Sequence, residues 1–154
     1  DVLAADAAAE GHMAIEAFRV TSRFGSMVPW DRVVANVHAA LEDRLAIEAR
    51  LADRIRTYQS RTPAHRLPPP IVRFDDAASA VATVVEVHAP DRVGLLYRVS
   101  RAFAELAIDV RVAKVQTLGD LVVDSFYVTT LDGAVVSDPV VRAELERALI
   151  HAVS

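Results

Sequence analysis

One short turn in this sequence, Asp91-Arg92-Val93-Gly94, combines residue types that can bind a small zwitterion. A β-branched stretch precedes it and an amphipathic stretch follows, which predicts a strand, a turn and a helix. Glycine lets backbone approach a ligand closely, and the amides that open the helix at Leu95 and Leu96 can hold a carboxylate. An amino acid also needs an acceptor for its ammonium group; Asp91 can supply that acceptor or cap the helix. A tight turn with a capped helix and no ligand is the open alternative.

Other residue types that carry catalysis or bind metals lack a suitable spacing. The five histidines are scattered, and neither an HExxH pattern nor an HD pair occurs. The carboxylate pairs Asp75-Asp76 and Glu42-Asp43 are adjacent residues, whose side chains diverge, so loop and surface roles are favoured. The sequence contains neither cysteine nor a glycine-rich phosphate loop. It therefore indicates no thiol chemistry, no metal site and no nucleotide site.

The composition is typical of a globular protein and excludes several classes. A chain of 154 residues has room for one ordinary domain or two small ones with a real core. The hydrophobic fraction of 53% excludes disorder, and the net charge of −4 argues against a general role on nucleic acid or membrane surfaces. No apolar run approaches the roughly 20 residues of a membrane helix, and the first residues resemble no signal peptide, so we expect a soluble, cytoplasmic protein.

Prolines divide the chain into two parts. The segment Thr62–Pro70 ends in three prolines and predicts an extended connector. Helical spacing runs before it from Trp30 to Tyr58, with a break expected near Leu45 to Ile47. A short strand is predicted after it at Ile71–Phe74.

From Val81 onward the pattern alternates between strand and helix. The predicted elements are a strand at Val81–His88, a helix at Leu95–Ala107, a strand around Val110–Val115, a hairpin turn at Gly119-Asp120, a strand at Leu121–Thr130 and a helix capped by Asp138. With one further strand this order is the α+β, ferredoxin-like βαββαβ pattern, although no final strand is evident.

The sequence also contains a repeat at an ungapped offset of 108 residues. The offset aligns Gly11 with Gly119, Phe18 with Phe126, and one helix face of each copy. The first copy has no counterpart of the segment Val81–Ile108. We therefore predict a partial first domain at 1–60, a proline-rich linker with a short strand at 61–80, and a second domain at 81–154, as the C-terminal part of a longer protein or a piece whose gap another chain fills.

The stretch Ala82–Leu96 resembles the start of an ACT domain, a small ligand-binding module of regulated amino-acid metabolism. Ala113–Gly119 and Val123–Thr129 resemble a narrower group, the tandem ACT pair that ends the bifunctional enzymes which uridylylate the PII signal protein and remove the group again. Met13–Gly25 resembles the first ACT unit of that group, and Pro68–Pro70 with Asp75–Ser79 resembles its inter-domain segment. The sequence departs from the family at Val93, where proline is usual, and this change loosens the turn without removing a chemical group.

The resemblance implies a glutamine-sensing regulatory region of a PII uridylyl- or adenylyltransferase/removing enzyme in nitrogen regulation. The nucleotidyltransferase domain with its Mg²⁺ and the HD phosphohydrolase domain would lie upstream, so no catalytic residue and no cofactor is expected in this chain. Expected partners are a small amino acid, PII through the parent enzyme, and a second copy or the missing half. The alternatives are a stand-alone ACT-repeat protein, the regulatory tail of another amino-acid enzyme, or a ligand-free dimerisation unit.

The resemblance also implies which residues face the ligand. The expected wall opposite the turn lies on the second strand of the ACT unit, and the full candidate set is Asp91, Arg92, Val93, Gly94, Leu95, Leu96, Val112, Ala113 and Lys114. Lys114 is the only lysine of the chain. An edge-strand charge that discourages aggregation is the alternative role for Lys114.

Overall fold

The computed structural model describes residues 2–11, 13–22, 27–59 and 68–154. One compact unit spans residues 22–66, and a second combines residues 2–21 with 67–154. These compact units are defined by contacts in the structure, whereas the boundaries predicted at residues 60 and 80 come from the sequence repeat. The units therefore do not test those boundaries, which stay a prediction. His12, Gly25, His65 and most of the predicted connector lie outside the described residues.

The first unit contains two helices, α1 (Trp30–Leu41) and α2 (Ile47–Gln59). The predicted break between them is confirmed. The Arg44 amide donates to the carbonyl of Ala39 over 2.8 Å and the Asp43 amide to that of Ala40 over 3.1 Å, with Asp43 at φ +52°. This is the Schellman pattern, which satisfies the last carbonyls of α1 and ends it.

The second unit contains a six-stranded antiparallel sheet and two helices. Its strands are β1 (Val2–Glu10), β2 (Met13–Val20), β3 (Ile71–Asp75), β4 (Thr83–Pro90), β5 (Ile108–Leu118) and β6 (Leu121–Thr130), in the order β2-β1-β5-β6-β4-β3. Its helices are α3 (Leu95–Glu105) and α4 (Pro139–Val153), the latter capped by Asp138 as predicted. None of the helices in the described part of the chain is long and apolar enough to cross a membrane.

The ferredoxin-like fold is confirmed, but its last strand comes from an unexpected place. β3, which precedes the domain in sequence, pairs with the outer edge of β4 and occupies the position of a fourth strand. Arg142 of α4 holds this strand: its guanidinium binds the Asp76 carboxylate, lies 5.4 Å from the centroid of the Phe74 ring and donates through Nε to the Val136 carbonyl over 2.6 Å.

The core lies between the sheet and the helices α3 and α4. Phe103 of α3 packs on Phe126 of β6 with ring centroids 5.1 Å apart, and Leu145 and Leu149 of α4 are fully buried. The equivalent of Phe126 in the first copy, Phe18, is 48% exposed, whereas Phe126 is 2% exposed. The same sequence position therefore contributes a core side chain in one copy and an exposed one in the other.

The β1–β5 pairing brings equivalent strands of the two copies together in antiparallel orientation. The hairpin glycines Gly11 and Gly119 adopt φ +59° and +65°. In the β1–β5 pairing Asp6 lies opposite Lys114, and these two positions are equivalent at the 108-residue offset. Opposite charges at that point favour pairing of one copy with the other over pairing of either strand with itself.

Candidate functional site

The turn before α3 leaves the start of that helix open. Gly94 is the N-cap residue and adopts φ +78°, a conformation that glycine reaches without strain, and it has no side chain to occupy the first amides. The Leu95 amide donates to the Arg92 carbonyl over 3.0 Å. The amides of Gly94 and Leu96 are thus the donors best placed to receive an anion at this helix start.

The turn is held by contacts to two other parts of the unit. The Asp91 amide donates to the Asp120 carbonyl of the β5–β6 hairpin over 2.9 Å. Arg92 donates to the carbonyl of Ser154, and Arg98 bridges the Ala152 carbonyl at 2.6 Å and the Val93 carbonyl at 3.0 Å. Burial, followed by the nearby charge of Arg92, lowers the pKa of Arg98. Both guanidiniums thus neutralise the carbonyl end of α4 and fix the backbone of the turn.

The predicted wall on β5 does not meet this turn. Pro90 and Leu118 both pair with Leu121, so the turn lies at the Leu118 end of β5. Lys114 is four residues away along β5, about 13 Å at the usual rise per residue. Val112 and Ala113 lie further still and pair with Ala8 and Ala7 of β1.

Lys114 itself is exposed on the outer face of the sheet, with Nζ 5.6 Å from the centroid of the Tyr127 ring. The edge-strand explanation for Lys114 is wrong, because β5 lies between β1 and β6 inside the sheet. Lys114 lies opposite Asp6 in the β1–β5 register rather than at a free edge.

The strand that reaches the turn end of the sheet beside β5 is β1, from the first copy. Ala4 pairs with Gln116, and the Thr117 hydroxyl donates to the Val2 carbonyl over 2.9 Å. Ala4 and Ala5 are the first-copy counterparts of Val112 and Ala113 at the 108-residue offset. The start of β1 and the turn after β4 thus lie at the same end of the sheet, with β5 and β6 between the two strands.

One acidic residue at this end of the sheet was missed by sequence reasoning. Asp124 of β6 is 0% exposed and lies on the core face, between Val87 of β4 and the position of Val115 on β5. Its Oδ1 accepts from the Gln116 amide over 3.2 Å, whereas its Oδ2 is buried without a partner among the described residues. Burial raises the pKa of Asp124 to about 6; the Gln116 bond opposes this rise and the charge of Asp91 adds to it.

A sequence signal for Asp124 does exist. It alternates with Val122, Phe126 and Val128, the inward positions of β6, so the period-two pattern places a carboxylate in the core. Buried carboxylates without a paired cation are rare, which makes this position a site candidate.

Metal binding finds no support in the geometry. Within the described ranges, no three histidine or acidic side chains come together in a way that could hold a metal ion.

Comparisons with known proteins agree with this architecture. The ACT domain family model matches residues 83–149. The bifunctional uridylyltransferase/uridylyl-removing enzyme of Streptomyces coelicolor is 42% identical over 124 residues, which cover 80% of this chain and 15% of that enzyme. The enzymes of the same name from Rhodospirillum rubrum and Erythrobacter litoralis are 32% and 33% identical over 144 residues, or 92% of this chain and 15% and 16% of theirs.

The chain thus spans about a sixth of the length of these relatives. No solved structure gave a significant match. The match over β4 to α4 and the ferredoxin-like topology show that residues 83–149 form an ACT domain, and the chain as a whole is similar to a segment of the bifunctional uridylyltransferase/uridylyl-removing enzymes.

Proposed function

We propose that this chain is the amino-acid-sensing region of a PII-modifying nucleotidyltransferase and that its ligand is glutamine. The observation that carries the proposal is the open start of α3. Gly94 caps the helix without a side chain, at the end of the sheet where Ala4 of β1 pairs with Gln116 of β5. A helix N-terminus favours a bound carboxylate through its amides and its dipole.

The ligand's two charged groups fit the two sides of this turn. The carboxylate binds the amides of Gly94 and Leu96, and the ammonium lies towards the carboxylate of Asp91, which is exposed at the rim. Val112, Ala113 and Lys114 pair instead with Ala8, Ala7 and Asp6 of β1, away from this turn.

The wider role rests on the relatives. They are named as enzymes that transfer and remove uridylyl groups, and we extend that activity, with PII as the protein substrate, to the protein that contains this region. Mg²⁺ and the transfer and removal of nucleotides belong, in this proposal, to other domains of that protein. Glutamine binding here biases the two opposed activities. The exposed apolar side chains of β2, such as Ile15 and Phe18, are proposed to pack against another part of the protein or a second copy.

Calorimetric titration of L-glutamine into the chain tests the proposal. We expect saturable binding that Asp91→Ala weakens at least tenfold, because the variant removes an acceptor for the ammonium. Asp132→Ala is the matched control, since Asp132 lies in the loop after β6 at the opposite end of the sheet. Binding of another amino acid instead of glutamine would indicate the regulatory region of a different enzyme. If none of the 20 common amino acids binds, the sensor proposal fails and a ligand-free dimerisation unit is favoured.

A further inference from the structure

One residue, Arg98, contacts both the turn before α3 and the end of α4. It lies near the start of α3, and its backbone amide donates to the Gly94 carbonyl over 3.0 Å. Its guanidinium donates through Nη1 to the Val93 carbonyl over 3.0 Å and through Nε to the Ala152 carbonyl over 2.6 Å. A single side chain therefore bridges the backbone of the turn and the backbone at the last turn of α4.

The contact with Val93 acts on the amide that is proposed to bind the ligand. The Val93 carbonyl and the Gly94 amide belong to one trans peptide group, so the C=O and the N–H point in opposite directions. A cation on the carbonyl oxygen polarises the peptide group and makes its N–H a stronger donor. The guanidinium on one side of this peptide group thus favours an anion on the other side.

The guanidinium of Arg98 is suited to this effect because it is only partly solvated. Burial, followed by the nearby charge of Arg92, lowers the pKa of Arg98. A charge that is partly shielded from water acts more strongly on nearby dipoles than a fully solvated one. Arg92 differs, since it is exposed and its guanidinium donates to the Ser154 carbonyl at the end of α4.

The contact with Ala152 extends the same effect to α4. The Ala152 carbonyl shares a peptide group with the Val153 amide, and the Val153 side chain is fully buried in the core. A carboxylate that accepts from the Gly94 amide makes the Val93 oxygen a better acceptor, because hydrogen bonds in a chain polarise one another. The Val93 and Ala152 oxygens then compete for one guanidinium, so binding at the turn alters the hydrogen bond at the helix end.

We infer that Arg98 is a positioning residue of the amino-acid site: it orients and polarises the Val93–Gly94 peptide group and couples ligand binding there to the last turn of α4. The inference rests on the proposed function and deepens it, because it names a route by which the occupied turn alters another part of the ACT domain. The coupling free energy is the same in both directions, so a change at the end of α4 also alters the affinity of the turn.

An amide-resolved NMR titration of the isotope-labelled chain with L-glutamine tests the coupling without any variant. We expect the amides of Gly94 and Val153 to shift with the same apparent affinity. The Val140 amide is the internal control, since it lies in the first turn of α4, donates to Asp138 over 2.7 Å and should stay unchanged. A shift of Val140 as large as that of Val153 would indicate movement of the whole helix and would overturn the route through Arg98.

Variants of Arg98 test the role of the guanidinium itself. Arg98→Gln should lower the affinity for L-glutamine about threefold to tenfold in a calorimetric titration, because a polarised donor forms a hydrogen bond roughly 10–30% stronger. It should also abolish the Val153 shift at saturating glutamine. Arg98→Lys should recover part of the affinity, because it keeps a cation near the Val93 carbonyl. Arg111→Gln is the matched control, since Arg111 is an exposed arginine that pairs with Asp109 towards the opposite end of the sheet.

The outcomes separate this inference from the proposed function. Glutamine binding that shifts Gly94 but not Val153, or that is equally tight in Arg98→Gln, would overturn the inference and leave the proposed function standing. Equal affinities of Arg98→Lys and Arg98→Gln would overturn the polarising role. Absence of glutamine binding by the unaltered chain would overturn both. If Arg98→Gln fails to fold, the titration of the unaltered chain still decides whether the turn and the helix end are coupled.

Discussion

Replacing Asp124 by asparagine should change how the stability of this chain depends on pH. Asparagine keeps an oxygen that can accept from the Gln116 amide but cannot ionise. The buried carboxylate has a pKa of about 6 in the folded chain and the ordinary value of 3.8 when unfolded. Between those two pH values the folded state binds the proton more tightly than the unfolded state does.

The sign follows from this difference. Because the pKa is raised on folding, the ionised carboxylate destabilises the fold above pH 6, and protonation relieves that cost as the pH falls. Relative to Asp124→Asn, the unaltered chain should gain about 1.4 kcal/mol of unfolding free energy between pH 8 and pH 5, and about 2.4 kcal/mol by pH 4. Burying the asparagine amide costs the same free energy at every pH, so it does not affect this change with pH.

Urea denaturation of both proteins at pH 8, 6.5, 5 and 4 gives the difference in unfolding free energy at each pH. Ser125→Asn serves as the control, since it changes no ionisable group and its difference from the unaltered chain should stay flat. A flat difference for Asp124→Asn, or one that grows in favour of the variant as the pH falls, would refute the assignment of Asp124 as a buried, poorly solvated carboxylate.

Three further changes test the fold and the turn. Phe126→Ala should lower the unfolding free energy by about 3–5 kcal/mol because it removes the ring that packs on Phe103. Phe18→Ala, at the equivalent exposed position, should lower it by less than about 1 kcal/mol. Urea denaturation measures both changes. Thr83→Val should cost about 1–3 kcal/mol in the same assay, since it leaves the buried Val136 amide without the hydroxyl acceptor that lies 2.9 Å away. Gly94→Ala should lower the unfolding free energy by about 1–2 kcal/mol through strain at φ +78°. It should also lower the affinity for glutamine in a calorimetric titration.

Each of these three predictions has a result that would contradict it. Equal losses for the two phenylalanines would contradict their different burial. A Thr83→Val variant as stable as the unaltered chain would mean that the Val136 amide finds another acceptor. An unchanged glutamine affinity in Gly94→Ala would place the ligand carboxylate elsewhere.

The local elements could be predicted because each leaves a periodic or capping signal. The Gly119-Asp120 hairpin, the Asp138 cap and the break after Leu41 depend on residues close together in sequence. The role of β3 could not be predicted in the same way. The sequence predicts a strand at Ile71–Phe74, but the pairing of β3 with β4 as the fourth strand of the domain is a tertiary contact that alternation does not encode.

The candidate site was predicted only in part, for a related reason. The turn at Asp91–Gly94 follows from glycine and helix-start chemistry, which are local. Which residues lie at that end of the sheet depends on the antiparallel β1–β5 pairing, which puts Ala4 and Ala5 of β1 there instead of Val112 and Ala113. Asp124 was visible as a carboxylate at an inward position of β6, yet its lack of a partner depends on three other strands.

The most direct test of the account is an amide-resolved NMR titration of the isotope-labelled chain with L-glutamine. We predict saturable shifts centred on the amides of Gly94, Leu95 and Leu96, with smaller shifts at Gln116, whose amide binds Asp124. The absence of any shift at millimolar glutamine, or shifts confined to residues away from the start of α3, would contradict the claim that this ACT domain binds an amino acid at that turn.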